Sequence, residues 1–142
     1  MCDLKLALDT NIIVAALRSE LGASNALVVE VLQGRAVMVC TTALFLEYEA
    51  VLKRPEVMKA TRMDETDIGT LMAAIASIAR PVEPSFAYRP LLRDADDEMV
   101  LEAALNSGAT LVTHNLRDFA EARRVGVEVL TPAQTLERMT YG

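Results

Sequence analysis

The sequence is poor in the residues that build disulfide scaffolds and zinc sites. Its 142 residues include two cysteines, Cys2 and Cys40, and a single histidine, His114. The cysteines are far apart and form no CxxC-type pair, so neither a disulfide framework nor a Cys/His zinc site is expected. We expect the two thiols to be buried or terminal.

Long apolar stretches and an excess of positive charge are also missing. No stretch approaches the roughly 18 apolar residues of a membrane span, and the charged N-terminus MCDLKLALDT does not resemble a signal peptide. We therefore expect a cytoplasmic protein without membrane association. The 14 basic and 20 acidic side chains give a net charge of −6. That balance excludes a basic nucleic-acid coat protein, but not a nucleic-acid enzyme that uses metal ions.

The chain does have enough apolar residues for one sizeable core. Hydrophobic residues make up 52% of the sequence and charged residues 24%. This mixture excludes a disordered, collagen-like or low-complexity protein. Because the length is close to the commonest size of a single domain, residues 1–142 are predicted to form one domain.

Short, continuous apolar runs predict the strands of a buried sheet. They are expected at 4–8, 36–40, 109–113 and 125–130, with a very short extended piece at Val82 between Pro81 and Pro84. Strands of this kind, alternating with helices, are typical of a parallel sheet that is covered on both faces. We therefore predict a three-layer α/β/α sandwich with a central, mainly parallel sheet.

Helical periodicity and capping residues occupy the segments between these strands. Residues 85–93 are predicted to be irregular. Helices are expected from Ile12 to near Gly22, from Ser24 to Gly34, from Thr41 or Thr42 to before Pro55, from Asp64, from Asp94 to Gly108, near 120–123 and from Thr131 and Pro132.

Polar residues follow two of the predicted strands directly. Asp9-Thr10-Asn11 comes after the first strand, and Thr113-His114-Asn115 comes after the fourth. In open α/β sheets, ligands bind beyond the carboxyl ends of the strands. Each group taken alone is equally typical of ordinary turn and cap residues.

Glu47 lies on or beside the apolar stripe of its predicted helix. It follows Leu44 by three residues and precedes Val51 by four. A carboxylate there costs free energy unless it is paired or binds a metal ion. The alternatives are an Arg or Lys partner at the helix edge and a functional role.

Asp97 is predicted to face inward from the first turn of its helix. It precedes Val100, Leu101 and Ala104 by three, four and seven residues. Acids in a first turn are favoured by the helix dipole. However, either Asp94 or Asp96 would suffice as a cap, so the three acids exceed what capping requires.

Together, Asp9, Glu47, Asp97 and the loop from Thr113 to Asp118 supply oxygen ligands without sulfur. Such hard ligands select Mg²⁺ or Mn²⁺. The chemistry that fits is metal-assisted hydrolysis of phosphodiesters. Candidate phosphate contacts form one group at Arg117, Arg123 and Arg124 and a second at Lys53, Arg54, Lys59 and Arg62, although each of these residues alone is also typical of solvated charge.

The sequence resembles the PIN-domain ribonucleases, of the kind found as toxins of toxin–antitoxin pairs (VapC-type). The resemblance extends over LALDTNIIVAALR, LEYEAVLKRPE, RDADDEMVLEAALNSGATLVTHNLRDF and VGVEVLTP. It implies that Asp9, Glu47 and Asp97 are the three family acids and that they bind Mg²⁺ or Mn²⁺ as the cofactor. It also implies that the protein cleaves RNA, binds a cognate antitoxin and forms a homodimer.

The fourth metal-side residue is left open by this resemblance. Thr113-His114-Asn115 resembles the family's T-x-D or T-x-N element, which makes Asn115 the candidate, whereas many members have Asp there. Asp118 is the alternative, although it is also suited to capping a short helix beginning near Phe119. A lone histidine beside a hydrolytic site would also suit a general base, but the position of His114 is variable in the family, so we expect a solvent-facing loop histidine.

Two other enzyme or signalling classes share the Asp after the first strand but lack support in the rest of the sequence. Haloacid-dehalogenase-like phosphatases and phosphorylatable receiver domains also place an Asp after the first strand, but both require a late lysine, and no lysine follows Lys59. A PIN-like module that binds protein or RNA without catalysis is the remaining alternative. Its discriminating property is the absence of Mg²⁺ or Mn²⁺ binding.

Overall fold

The apolar runs of the sequence form one parallel sheet. The computed structural model describes residues 4–84 and 94–141, with the side chain of Tyr141 left out. The strands are β1 (Lys5–Leu8), β2 (Val37–Cys40), β3 (Arg80–Pro81), β4 (Thr110–Val112) and β5 (Val129–Leu130). All pairings are parallel, in the order β3-β2-β1-β4-β5.

Helices cover this sheet and complete the predicted α/β/α sandwich. They are α1 (Thr10–Arg18), α2 (Ala23–Leu32), α3 (Thr42–Leu52), α4 (Pro55–Thr61), α5 (Glu65–Ile78), α6 (Ala95–Ser107) and α7 (Pro132–Tyr141), together with a 3-10 helix (Leu116–Val125). Among the described residues, no single helix is long and apolar enough to cross a membrane, and only α1 and α2 together reach that length, bent by 105°.

The central strand determines where the site lies. Leu6, Ala7 and Leu8 of β1 are completely buried, and Leu8 pairs with Val112 of β4. The backbone N–H of Asp9 continues the ladder by donating to the carbonyl oxygen of Val112 at 2.9 Å. Consequently, the residues after β1 and β4 emerge side by side at the carboxyl edge of the sheet.

Side-chain caps fix the beginnings of several helices, including α7, where Thr131 accepts the N–H of Gln134 as the sequence predicted. Thr41, rather than Thr42, caps α3 by accepting the N–H of Leu44. Asp64 caps α5 in a capping box with Asp67, as the sequence predicted. Asp94 caps α6 by accepting the N–H of Asp96 at 2.8 Å. The other acids of this first turn are therefore not needed for capping.

Two predicted helix boundaries near the N-terminus are wrong. The first helix ends at Arg18, not near Gly22, and Ser24 does not cap the second helix. The N-cap of α2 is Gly22, and no side chain caps it. Ser24 instead lies inside the first turn, where its hydroxyl contacts His114.

Proline explains a helix that the sequence did not predict. Pro55 lies beyond the end of α3, as expected, but it also begins α4. A proline at the first helical position loses no hydrogen bond, because that N–H has no partner within the helix, and its φ already suits a helix.

The last strands are shorter than predicted. The segment 125–130 is extended only at Val129–Leu130, because the 3-10 helix continues to Val125 and Gly126 then takes a left-handed φ of 82°. On the opposite edge, β3 is formed by Arg80–Pro81, and Val82 follows it by donating its N–H to Cys40. Cys2 and the predicted irregular segment 85–93 lie outside the described residues.

Candidate active site

Asp9 is a buried carboxylate at the end of the central strand. Only 6% of its surface is exposed, and the hydroxyl of Thr113 donates to its Oδ2 at 2.8 Å. Burial raises the pKa of Asp9, although the Thr113 hydroxyl, the backbone N–H groups of Thr10 and Asn11 and the charge of His114 act in the opposite direction. A cation close to this carboxylate would favour its ionised form.

Asp97 lies in the first turn of α6, within electrostatic reach of Asp9. Burial and the negative charges of Asp9, Asp94, Asp118 and Asp96 together raise the pKa of Asp97 to about 7. The fold thus gathers carboxylates from the ends of two strands and the start of a helix. This crowding of like charges opposes ionisation unless a cation offsets it.

Glu47 lies on α3, half-buried and beside the beginning of α6. Burial raises its pKa, as do the charges of Asp96 and Asp94, while Arg54 acts to lower it. None of the ion pairs found within residues 4–84 and 94–141 includes Glu47. Arg54 is therefore near Glu47 without forming the close pair that was the alternative explanation for this carboxylate.

Tyr48 attaches α3, the helix that carries Glu47, to β1, the strand that ends just before Asp9. Its side chain is completely buried, and its hydroxyl donates to the carbonyl oxygen of Leu8 at 2.5 Å. No local pattern in the sequence predicts this bond. The contact holds α3 against the last residue of β1, one residue before Asp9.

The loop after β4 carries both candidates for the fourth residue. Thr113 is buried, and its Oγ1 accepts the N–H of Asn115 at 3.0 Å. Asn115 is exposed and precedes the 3-10 helix without capping it through its side chain. A first helical turn that the sequence did not predict begins at Leu116 and includes Asp118, and the backbone then leaves helical geometry at Phe119, close to where a helix was expected to begin.

His114 is exposed, as predicted, but it is not a free loop side chain. Its Nε2 lies 2.8 Å from the hydroxyl of Ser24, a contact that the sequence analysis missed. A signal was available: Ser24 precedes Leu27 and Val31 by helical spacings, which places its hydroxyl on the buried face of α2.

The three candidate arginines differ in their surroundings. The guanidinium of Arg123 donates to the carbonyl of Val129 at 3.1 Å, and Arg124 pairs with Glu121 at 3.1 Å on the surface. Arg117 is exposed, and in the described part of the chain it has no close protein partner. Of the three, Arg117 is the one whose charge is available to a ligand.

The donor set at this edge fits a hydrated hard cation. In the parts of the chain described here, no three Asp, Glu, His or Cys side chains converge closely enough to hold an ion among them. Mg²⁺ commonly keeps several waters and takes only one or two carboxylates. The crowding that raises the pKa of Asp97 to about 7 is what such an ion would relieve.

The profile of the PIN domain matches residues 5–117 of the chain. The chain belongs to the PIN domain family. No curated protein and no solved structure gave a significant match. PIN domains are generally nucleases, and PIN domain nucleases generally use divalent metals. The matched region contains Asp9, Glu47, Asp97 and Asn115 and ends one residue before Asp118.

Proposed function

We propose that this PIN domain is an endoribonuclease that hydrolyses RNA phosphodiester bonds with the help of Mg²⁺ or Mn²⁺. The observation that supports it most is the pair of Asp9 and Asp97 at the carboxyl edge of the sheet, where the negative charge of Asp9 disfavours ionisation of Asp97. Membership of the PIN domain family supports the nuclease class.

The residues proposed to hold the ion are Asp9, Asp97, Glu47 and Asn115, with Asp118 as the alternative fourth residue. A divalent ion bound there would neutralise charge on the scissile phosphate and lower the pKa of a water molecule. Thr113 keeps the carboxylate of Asp9 in one orientation through its hydrogen bond. Tyr48 keeps α3, and with it Glu47, against the end of β1.

Arg117 is the residue proposed to contact the RNA backbone. Its side chain is exposed, and it lies two residues after Asn115, so its charge is placed next to the site. A cation that contacts phosphates adds affinity without sequence preference. Arg124 is a second, weaker candidate because Glu121 already pairs with it, and Arg123 holds the 3-10 helix to β5.

The resemblance to VapC-type toxins supports a role in a toxin–antitoxin pair, with a cognate antitoxin and a homodimer, in the cytoplasm. Two apolar side chains of α2 are available for such contacts, because Val29 is 39% and Leu32 is 38% exposed. They lie three residues apart on one face of the helix. A small reading frame next to this one would support the toxin role.

A binding module without catalysis is the alternative, since no three Asp, Glu, His or Cys side chains among the described residues converge closely enough to hold an ion. Calorimetric titration with Mn²⁺ and Mg²⁺, followed by incubation with a panel of structured and unstructured RNAs, separates the two. Millimolar or tighter ion binding and cleavage that EDTA stops are expected for the nuclease. RNA binding without ion binding or cleavage would establish the module instead.

A further inference from the structure

The side chains of Ser24 and His114 join two distant parts of the chain. They are 90 positions apart in sequence, and Ser24 Oγ lies 2.8 Å from His114 Nε2. Ser24 is 3% exposed and does not serve α2 as a cap. Its hydroxyl is therefore committed to the histidine rather than to the helix to which it belongs.

His114 lies in the middle of the loop that carries the candidate fourth residue. Thr113 on one side is bonded to Asp9, and Asn115 on the other side donates its N–H back to Thr113. Asp118 in turn donates its N–H to the carbonyl oxygen of Asn115 at 3.1 Å. Among these contacts, the one made by His114 connects the loop to a helix on the face of the sheet.

We propose that the Ser24–His114 hydrogen bond is a brace that fixes the segment 113–118, which joins β4 to the 3-10 helix, against α2 and thereby sets the position of the fourth metal-side residue. This inference rests on the proposed function. Ser24 and His114 are then positioning residues, which act through Asn115 and Asp118 and do not have to contact the substrate. His114 would matter for where its Nε2 lies and not for its charge.

Replacement of His114 by glutamine separates position from charge. The glutamine amide can accept from the hydroxyl of Ser24 or donate to it, so it serves with either tautomer of the original ring. It cannot titrate near neutral pH. His114→Ala and Ser24→Ala both remove the brace, and Ser77→Ala removes an exposed hydroxyl whose bond stays within α5, which makes it a matched control.

The first readout is amide hydrogen exchange of Asn115 and Asp118 in the metal-free protein. Ser24→Ala and His114→Ala are expected to accelerate exchange roughly fivefold, the order expected for one lost hydrogen bond. The double variant should be no faster than either single variant, because both lack the same contact. His114→Gln and Ser77→Ala should match the wild type.

The second readout is Mn²⁺ affinity by calorimetry, which is expected to fall several-fold in Ser24→Ala and His114→Ala and to recover in His114→Gln. Equal loss in His114→Gln and His114→Ala, or no change in Ser24→Ala, would overturn the brace. Faster exchange with unchanged Mn²⁺ affinity would overturn its positioning role. If wild-type protein neither binds Mn²⁺ nor cleaves RNA, the proposed function fails, while the exchange data still decide whether the brace exists.

Discussion

The charge of Asp9 at the end of β1 opposes the ionisation of Asp97 at the start of α6. After burial, it is the largest contribution to the raised pKa of Asp97, which is about 7. Asp9 itself is buried and oriented by Thr113. Two carboxylates from distant parts of the chain thus share one edge of the sheet, where a divalent cation would stabilise both.

Asp9→Asn is expected to abolish RNA cleavage and to leave the fold intact. The amide keeps the shape of the side chain and can still accept from Thr113, but it removes one charge of the proposed site. Because it also relieves repulsion with Asp97, the metal-free variant should be as stable as the wild type or slightly more stable. Thermal unfolding and a cleavage assay check this, with Glu137→Gln on the exposed side of α7 as the control. Near-normal activity of Asp9→Asn would remove Asp9 from the site.

Asp97 should make the stability of the metal-free protein depend on pH. Its pKa is raised from 3.8 to about 7 on folding. The stability that the protonated carboxyl of Asp97 contributes is therefore fully present below pH 3.8 and is lost as the pH rises through about 7. Asp97→Asn removes this dependence. Urea unfolding of both proteins should therefore show equal stability near pH 4 and a more stable variant at pH 8. A difference that does not change with pH would contradict the raised pKa.

The choice between Asn115 and Asp118 can be made with three variants. We expect Asn115→Ala to impair catalysis more than Asp118→Ala, because the backbone of Asn115 is bonded to Thr113, whose hydroxyl also contacts Asp9. Asn115→Asp should preserve or strengthen ion binding, since it adds a charged ligand. The opposite ranking, with Asp118→Ala folded and inactive, would transfer the role to Asp118.

Tyr48→Phe tests the attachment of α3. The variant keeps the ring and removes the hydroxyl that donates to the carbonyl oxygen of Leu8. A loss of about 1–2 kcal/mol in the free energy of unfolding is expected, because a buried acceptor loses its partner. Activity should fall as well, through the displacement of Glu47. An unchanged free energy of unfolding in chemical denaturation would show that the hydrogen bond contributes little to stability.

Arg117→Ala is expected to weaken RNA binding similarly for all sequences and to reduce the slope of log affinity against log salt by about one. Arg35→Ala serves as the matched control, because that exposed arginine is paired with Glu30 and is not a proposed RNA contact. Filter binding with Asp9→Asn protein over a range of salt measures both slopes without cleavage. Equal slopes for Arg117→Ala and the parent would exclude the phosphate contact.

The alternation of apolar strands and helices was enough to predict the sandwich, because the central strands β1, β2 and β4 are largely buried and occur in the sequence as continuous apolar runs. The same reasoning predicted that Asp9 and the loop after β4 emerge together, since neighbouring parallel strands end at one edge. The hydrogen bonds that the sequence did not predict are tertiary contacts. The bonds of Ser24 to His114 and of Tyr48 to Leu8 join residues 90 and 40 positions apart, and no local pattern specifies such pairs.

Local rules also failed where one residue type has two uses. Pro55 was interpreted as a residue that follows a helix, whereas it also begins α4. Valine-rich residues 125–130 were predicted to form a strand, but Gly126 allows a left-handed turn that shortens it to Val129–Leu130. The fourth site residue stays a prediction for a related reason, because Asn115 and Asp118 lie on the same short turn.

The most direct test of a metal-dependent nuclease is the rate of RNA cleavage as Mn²⁺ is titrated into metal-free protein, with Asp9→Asn measured in parallel. We expect no cleavage without the ion, saturable activity with it, complete reversal by EDTA, and no activity of the folded Asp9→Asn protein at any Mn²⁺ concentration. Cleavage that proceeds equally in EDTA, or equally in Asp9→Asn, would contradict this proposed activity.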